Sequence, residues 1–315
     1  MMNDPQTIKG LDLARSYFEA DALPRFRECC PDLLDRMAAG LVGDGSDCFG
    51  YDDSLSRDHD WGPGFAIWLS AKDYERFGRN VQALYNALPP IHKGFGPRRA
   101  TPGNENRTGV STVDEFYRRF TGFADAPMRF SDWLMIPESA LAACTNGAVF
   151  HDPSGAFSAR RERFLSFYPE DVRRKKIASR CMTIGQSGQY NFSRCLKRND
   201  RVALQYAQAK FIADLISLVF LLNRRYAPFY KWMHRALSAL PLEGPWFHER
   251  IGQLAKANDD ALKPDMIETL CQKIIAMLKA QGLSDSVSSF LPDHGPAILS
   301  GIGDPELKNR NVWVG

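Results

Sequence analysis

Six aspartates crowd residues 44–60, namely Asp44, Asp47, Asp52, Asp53, Asp58 and Asp60, within "GDGSDCFGYDDSLSRDHDWG". Like charges at this density repel one another. Any fold that contains the stretch must leave it in water or supply cations to it. It also runs between two apolar stretches, "AAGLVG" before it and "FAIWL" after it. Both read as strands, so the acidic segment reads as their connection.

The rest of the chain follows from that placement. Residues 8–40 carry helical apolar spacing through Leu11, Leu13, Phe18, Phe26, Leu33, Leu34 and Met37. "AKDYERFGRNVQALYNAL" is an amphipathic helix stopped by Pro89 and Pro90. Residues 91–108 form a long Gly-, Pro- and Arg-rich loop. "GVSTVDEFYRRF" reads as a strand feeding a helix, and "GAVFHDPSGAF" as a strand ending in a turn. This alternation gives an α/β or α+β domain over residues 1–155. After residue 156 no segment reads as a strand, and residues 156–315 are expected to form an all-helical second domain. A length of 315 residues suits about two domains.

The acidic segment fails several motifs. An EF-hand loop starting at Asp44 needs Gly sixth and Glu twelfth, where the chain has Phe49 and Leu55. A P-loop needs a Lys after its second Gly. A nucleophile elbow needs Gly two residues either side of the Ser, but Ser46 has Asp44 and Cys48 there. Asp58 and Asp60 remain. On a strand, residues i and i+2 share a face about 6.6–6.8 Å apart, and two carboxylates so placed can converge on Mg²⁺. His59 then points to the opposite face, as a structural residue. Gly45 and Ser46 follow the preceding strand, where a backbone N–H and a hydroxyl can hold phosphate oxygens. Asp44, Asp47, Asp52 and Asp53 read as solvated loop residues.

Gly-Ser, eleven residues, then Asp-x-Asp before an apolar strand resembles the signature of the polymerase-beta-type nucleotidyltransferase superfamily. The longer string "GDGSDCFGYDDSLSRDHDWGPGF", with "DWLMIPESALAACTNGAVFHDPSGAF" and "LLNRRYAPFYKW" downstream, resembles a bacterial branch of that superfamily with unassigned function. The resemblance spans roughly residues 40–240. It implies a mixed sheet with flanking helices followed by a helical domain. It implies that Gly45 and Ser46 hold the triphosphate of an NTP, with ATP the expected nucleotide, and that Asp58 and Asp60 ligate Mg²⁺, with Mn²⁺ as the alternative. The reaction would be in-line attack of an acceptor hydroxyl or phosphate on the α-phosphate, with release of pyrophosphate. The helical domain would bind an acceptor of unknown identity; read from its own residues, "NRRYAPFYKW" is either a helix end that packs aromatics and exposes cations or an acceptor-binding edge carrying Tyr230 and Lys231. One departure stands out. The family's third carboxylate belongs on a later strand, here "GVSTV", and its inward position is Ser111, while Asp114 and Glu105 are out of register. A catalytically silent nucleotide-binding or regulatory protein is therefore the alternative.

Composition narrows the partners. A net charge of +3, from 40 basic and 37 acidic residues, argues against a large nucleic-acid footprint, so RNA binding is a third and weaker reading. Seven cysteines without a C-x-x-C pair suggest a reduced, cytoplasmic compartment. "MMNDPQTIKG" carries no apolar signal region. The most apolar run, residues 211–222, is too short for a bilayer and holds Asp214, which is expected to pair with an arginine. Lys93, Arg98 and Arg99 either steer an anionic substrate or lie on a plain exposed loop.

Overall fold

The structure is a computed structural model that describes residues 8–99 and 107–315, so Glu105 lies outside the described part. The chain divides into two compact units. The first runs to Ala126 and resumes over Ala140–Ser166; the second comprises Pro127–Ser139 and Phe167–Gly315.

The first unit opens with helices α1 (Gly10–Tyr17), α2 (Leu23–Cys29) and α3 (Pro31–Leu34). Strand β1 (Ala38–Leu41) follows, then the acidic connection, β2 (Ala66–Leu69), α4 (Ala71–Asn86), β3 (Gly109–Thr112) and α5 (Val113–Thr121). The sheet order is β3-β2-β1-β4, where β4 is Ala148–His151. β1 runs antiparallel to both β2 and β4, and β2 runs parallel to β3, with Trp68 beside Ser111. The sheet is therefore mixed, and the unit is α+β.

Both faces of β2 are covered, which explains its unbroken apolar sequence. Phe65, Ile67 and Leu69 join Phe18, Phe26, Leu33, Val81 and Leu88 in one cluster, beneath the N-terminal helices and α4. Trp68 faces the other way. Its ring stacks on Phe157 at 3.9 Å and meets Phe116 of α5 edge-on at 5.2 Å. Helix α4 also covers the open edge of β3, because Gln82 Oε1 accepts the Val110 N–H at 2.9 Å. An edge strand with unpaired N–H groups otherwise invites a foreign strand.

Between the units' segments lie α6 (Phe130–Met135) and α7 (Glu138–Thr145), and after β4 comes α8 (Ala156–Leu165). The division falls differently from the expected break at residue 155/156. Helix α8 belongs to the first unit, because Phe157 and Phe164 are fully buried there, Phe164 stacking on Tyr117 at 5.1 Å. Residues 127–139 join the second unit instead. Trp133 meets Tyr168 edge-on, and Glu138 accepts a hydrogen bond from Ser217 at 2.8 Å.

The second unit holds α9 (Glu170–Ile184), α10 (Ser193–Lys197), α11 (Arg201–Leu222), α12 (Tyr230–Leu237), α13 (Gly244–Lys256), α14 (Lys263–Ala280), α15 (His294–Ser300) and α16 (Pro305–Asn309). Among its described residues there is no strand. By length and composition α11 could cross a membrane. Here, however, Phe211, Leu215, Leu218, Val219 and Leu222 are packed inside the unit. Asp214 is paired as its sequence setting requires, at 3.0 Å from Lys210 Nζ and 3.9 Å from Arg180 Nε.

Phe157 tests the assignment of α8. Phe157→Ala removes a fully buried ring from the Trp68 stack and should destabilise the first unit by about 3–5 kcal/mol. Denaturant unfolding followed by tryptophan fluorescence reads it. An unchanged midpoint would place α8 outside the first unit's core.

Candidate functional site

The crowded aspartates are answered one by one. Asp47 is 1% exposed. Its Oδ2 takes Arg98 Nη2 at 2.8 Å and its Oδ1 takes Arg107 Nη2 at 2.9 Å, and Oδ1 also accepts its neighbour Cys48's N–H. The same two guanidiniums donate to the main-chain carbonyl of Asp60, at 2.6 Å from Arg98 Nη1 and 3.1 Å from Arg107 Nη1. This network ties the start of the acidic connection to its end. Asp52, equally buried, lies at the amino end of α1, where its Oδ2 accepts the Gly10 N–H at 2.7 Å and the Trp61 indole N–H at 2.9 Å. A carboxylate there also faces the positive end of the helix dipole. Asp53 accepts the N–H groups of Leu55 and Ser56 and so caps a short 3₁₀ turn. The expectation that Asp47 and Asp52 are solvated is thus corrected: both are buried ion-pair or capping groups.

Asp58 and Asp60 are not on a strand. β2 begins only at Ala66, after the turn "WGPGF". Asp60 itself has a left-handed backbone, φ +51°, which a strand cannot contain. The same-face spacing that would aim both carboxylates at one ion therefore does not arise. Asp58 is exposed, and its Oδ1 accepts from the N–H of His59 at 2.9 Å and contacts His59 Nδ1 at 2.8 Å. His59, expected on the far face of a strand, is exposed beside it. No group of three or more His, Cys, Asp or Glu side chains converges among the described residues. Asp58 and Asp60 are thus not set side by side on one strand face, as the expected Mg²⁺ site requires.

Gly45 is fixed by the network rather than open beside it. A Cβ there would stand 1.7 Å from Arg107 Nη2 and 1.9 Å from Asp47 Oδ1. Ser46 is half-buried in the same turn, where its carbonyl accepts the Tyr51 N–H at 2.8 Å. Of the basic loop, Arg98 is consumed by Asp47, while Lys93 and Arg99 are exposed.

Two cavities flank this frame. One, of about 410 Å³, is lined by Arg57, Asp58, His59, Trp61, Phe95 and Arg99 among others. The second, of about 440 Å³, opens on the Trp68 face of the sheet and round the β3 edge. Trp68, Arg107, Ser111, Phe116 and Arg119 are among its lining residues. Ser111, the position that sequence reasoning gave to a third acid, is thus in one cavity and Asp58 is in the other. Arg119 approaches the loop after β1, with Nη2 at 3.9 Å from where a Cβ of Gly43 would be. Desolvation pulls its guanidinium below the ordinary value, and Asp44 pulls the other way. Trp68 is 1% exposed, and its indole N–H has no hydrogen-bond partner among the described residues. Tyr230 and Lys231, in the second unit, form the first turn of α12 and are both exposed.

Sequence reasoning passed over Asp47, Arg107, Arg119 and Trp68. Only charge balance signalled the first pair. The acidic connection has a single arginine, Arg57, and the loop of residues 91–108 is rich in cations.

Residues 133–233 match the family model of a domain of unknown function, DUF4037, over about a third of the chain. No curated protein and no solved structure matches.

Burial alone would raise the Asp47 carboxyl, but Arg98 and Arg107 together outweigh it and hold the group below the usual carboxylate value of 3.8. A folded pKa below the unfolded one contributes stability above the unfolded value and loses it as pH falls through the folded one. Asp47→Asn should cost about 3–5 kcal/mol at pH 7, because two buried cations lose their partner. It should also flatten the loss of stability as pH drops below 3.8. Gly45→Ala should mimic it, since the added methyl displaces Arg107. Urea midpoints at pH 7 and pH 3 check both, and a wild-type midpoint in Asp47→Asn would remove the network from its structural role.

Proposed function

We propose that the first unit binds a nucleoside triphosphate in the cavity on the Trp68 face, and that the protein transfers the nucleotidyl group to an acceptor. One observation carries the binding half. A cavity of about 440 Å³ is lined by Trp68, Phe116, Arg107 and Arg119, and Arg107 also bears on the turn that holds Gly45 and Ser46. Arg119, whose guanidinium lies 4.5 Å from the Phe120 ring centre, and Arg107, held by Asp47 and Asp60, supply positive charge for phosphate oxygens. Tyr74, which also lines the cavity and is 37% exposed, offers aromatic surface to a base.

The resemblance supplies the reaction. An acceptor oxygen would bond to the α-phosphorus as the bond to the bridging oxygen of the β-phosphate breaks. Pyrophosphate leaves, and the acceptor's proton passes to solvent or base. The mixed sheet, with β1 and β2 antiparallel and β2 and β3 parallel, suits this reading. The metal half of the resemblance has no such support, because Asp58 and Asp60 do not lie on one strand face, so no step is assigned to Mg²⁺.

A second reading has its own observation. Ser111 occupies the cavity-facing position on β3 where an acid would act, and Asp58 faces elsewhere. On this reading the cavity binds nucleotide without turning it over.

Calorimetric titration with each NTP, with and without Mg²⁺, and a pyrophosphate assay in the presence of cell extract separate the readings. Pyrophosphate release supports transfer; binding alone supports the silent form. Arg119→Ala should weaken NTP binding roughly ten- to a hundredfold, the scale of a charged hydrogen bond, and circular dichroism checks that losing its contact with Phe120 leaves the fold intact. Absence of any NTP binding at millimolar concentration would overturn both.

A further inference from the structure

One polar cluster of the first unit lies outside the Asp47 network and outside the lining of both cavities. Ser16 is in the last turn of α1, Asp21 follows five residues later, and His92 returns to them from beyond α4. His92 Nε2 is 2.8 Å from Ser16 Oγ, and His92 Nδ1 is 2.6 Å from Asp21 Oδ2. A hydroxyl, an imidazole and a carboxylate thus stand in a row, each within reach of the next, the arrangement that activates a serine.

Local geometry places them there. In an α-helix, residues five apart sit about 140° apart round the axis, so Ser16 and Asp21 would face different ways. The π turn over Phe18–Ala22 changes that. Its wider winding brings the fifth residue back toward the same side, and such turns often mark functional sites. The histidine is held from its own side. His92 and Phe95 exchange main-chain hydrogen bonds at 3.0 and 2.9 Å across the turn of Lys93 and Gly94, both left-handed at φ +50° and +81°. Tyr17 donates its hydroxyl to the Pro89 carbonyl at 2.8 Å, and its ring centre lies 5.4 Å from that of His92. Helix and loop are therefore fastened together at this point.

Electrostatics set the roles. The Asp21 contact is close but not in line, since Oδ2 accepts no well-aligned hydrogen bond; resting catalytic contacts commonly have that form and tighten with substrate. The carboxylate acts through its charge, favouring the proton on Nδ1 and stabilising an imidazolium. Nε2 is then left to accept the Ser16 hydroxyl, whose other acceptor, the Leu13 carbonyl, is further away at 3.0 Å. His92 is 9% exposed and Ser16 is half-buried, so the base is shielded while the serine is not sealed in. His294 makes the contrast. It also meets a serine hydroxyl, that of Ser284, but its second nitrogen meets the Ser288 carbonyl rather than a carboxylate.

We propose that Ser16 is an activated nucleophile and that the first unit transfers the acyl group of a small activated carboxylic ester, with His92 as general base and Asp21 as a positioning residue. Ser16 Oγ bonds to the ester carbonyl carbon, and its proton passes to His92 Nε2. The bond from that carbon to the leaving oxygen breaks, and the leaving alcohol takes the proton from Nε2. Water, activated by the same nitrogen, then releases the carboxylic acid and restores the serine. The site is separate from the Trp68 cavity, so it stands whether or not a nucleotide binds there.

A fluorophosphonate probe and p-nitrophenyl acetate test it on the full chain. The probe should label the native protein at Ser16, mapped by peptide mass spectrometry, and should not label the chain unfolded in urea. The ester should release nitrophenol in a burst followed by slower turnover. Ser16→Ala should abolish both. His92→Ala should slow labelling and turnover roughly a hundredfold to ten-thousandfold, the range of general base catalysis. Asp21→Asn should lower kcat with KM unchanged, and Asp21→Glu should restore part of it, a split that a merely structural carboxylate would not give. Circular dichroism checks the fold of each variant; should His92→Ala unfold, the position labelled in the wild-type chain decides alone. The proposal is overturned by no labelling of the native protein, by labelling at another residue, or by labelling at Ser16 that persists unchanged in urea or in folded His92→Ala.

Discussion

The first unit depends on one buried carboxylate. Asp47 stands between two guanidiniums drawn from a loop some fifty and sixty residues further on, and those guanidiniums also grip the Asp60 carbonyl. Each group would be costly to bury alone. Together they close the acidic connection onto itself and hold it against the sheet. The shape of the connection follows: Gly45 because no side chain fits beside Arg107, and Asp60 in a left-handed turn because the chain must reverse before β2.

This network also sorts the cations. Arg98 and Arg107 are spent on the fold, and Arg57 lies over Trp61 at 4.6 Å with its Nη2 on the Ile8 carbonyl. Arg119 and Arg99 line cavities on opposite sides of the frame. The Trp68 cavity has the better claim to a nucleotide because, through Arg107, it adjoins the turn of Gly45 and Ser46. In the other cavity Asp58 and His59 contact each other.

The first unit's half-open cavity is lined by both polar and aromatic side chains, a mixture suited to a small ligand.

Much of the fold was legible in the chain. Alternation and apolar runs gave all four strands within a residue or two, the helix after β2, and the long core helix of the second unit, because hydrophobic period reports local structure directly. Asp214 was paired for the reason its apolar setting required. Reach across the chain was not legible. Nothing local to residues 156–165 says that Phe157 stacks on Trp68, so the units divide elsewhere than the change in composition suggested. Nothing local to "GDGSD" says which of its acids will be buried. The aspartates look alike in sequence, and only the return of Arg98 and Arg107 made Asp47 a core residue while Asp58 stayed in water. Periodicity is a property of neighbours, so the sequence determined the elements. Ion pairing and aromatic stacking are properties of distant residues brought together, so only the tertiary structure decided which charges were structural and which faced a cavity.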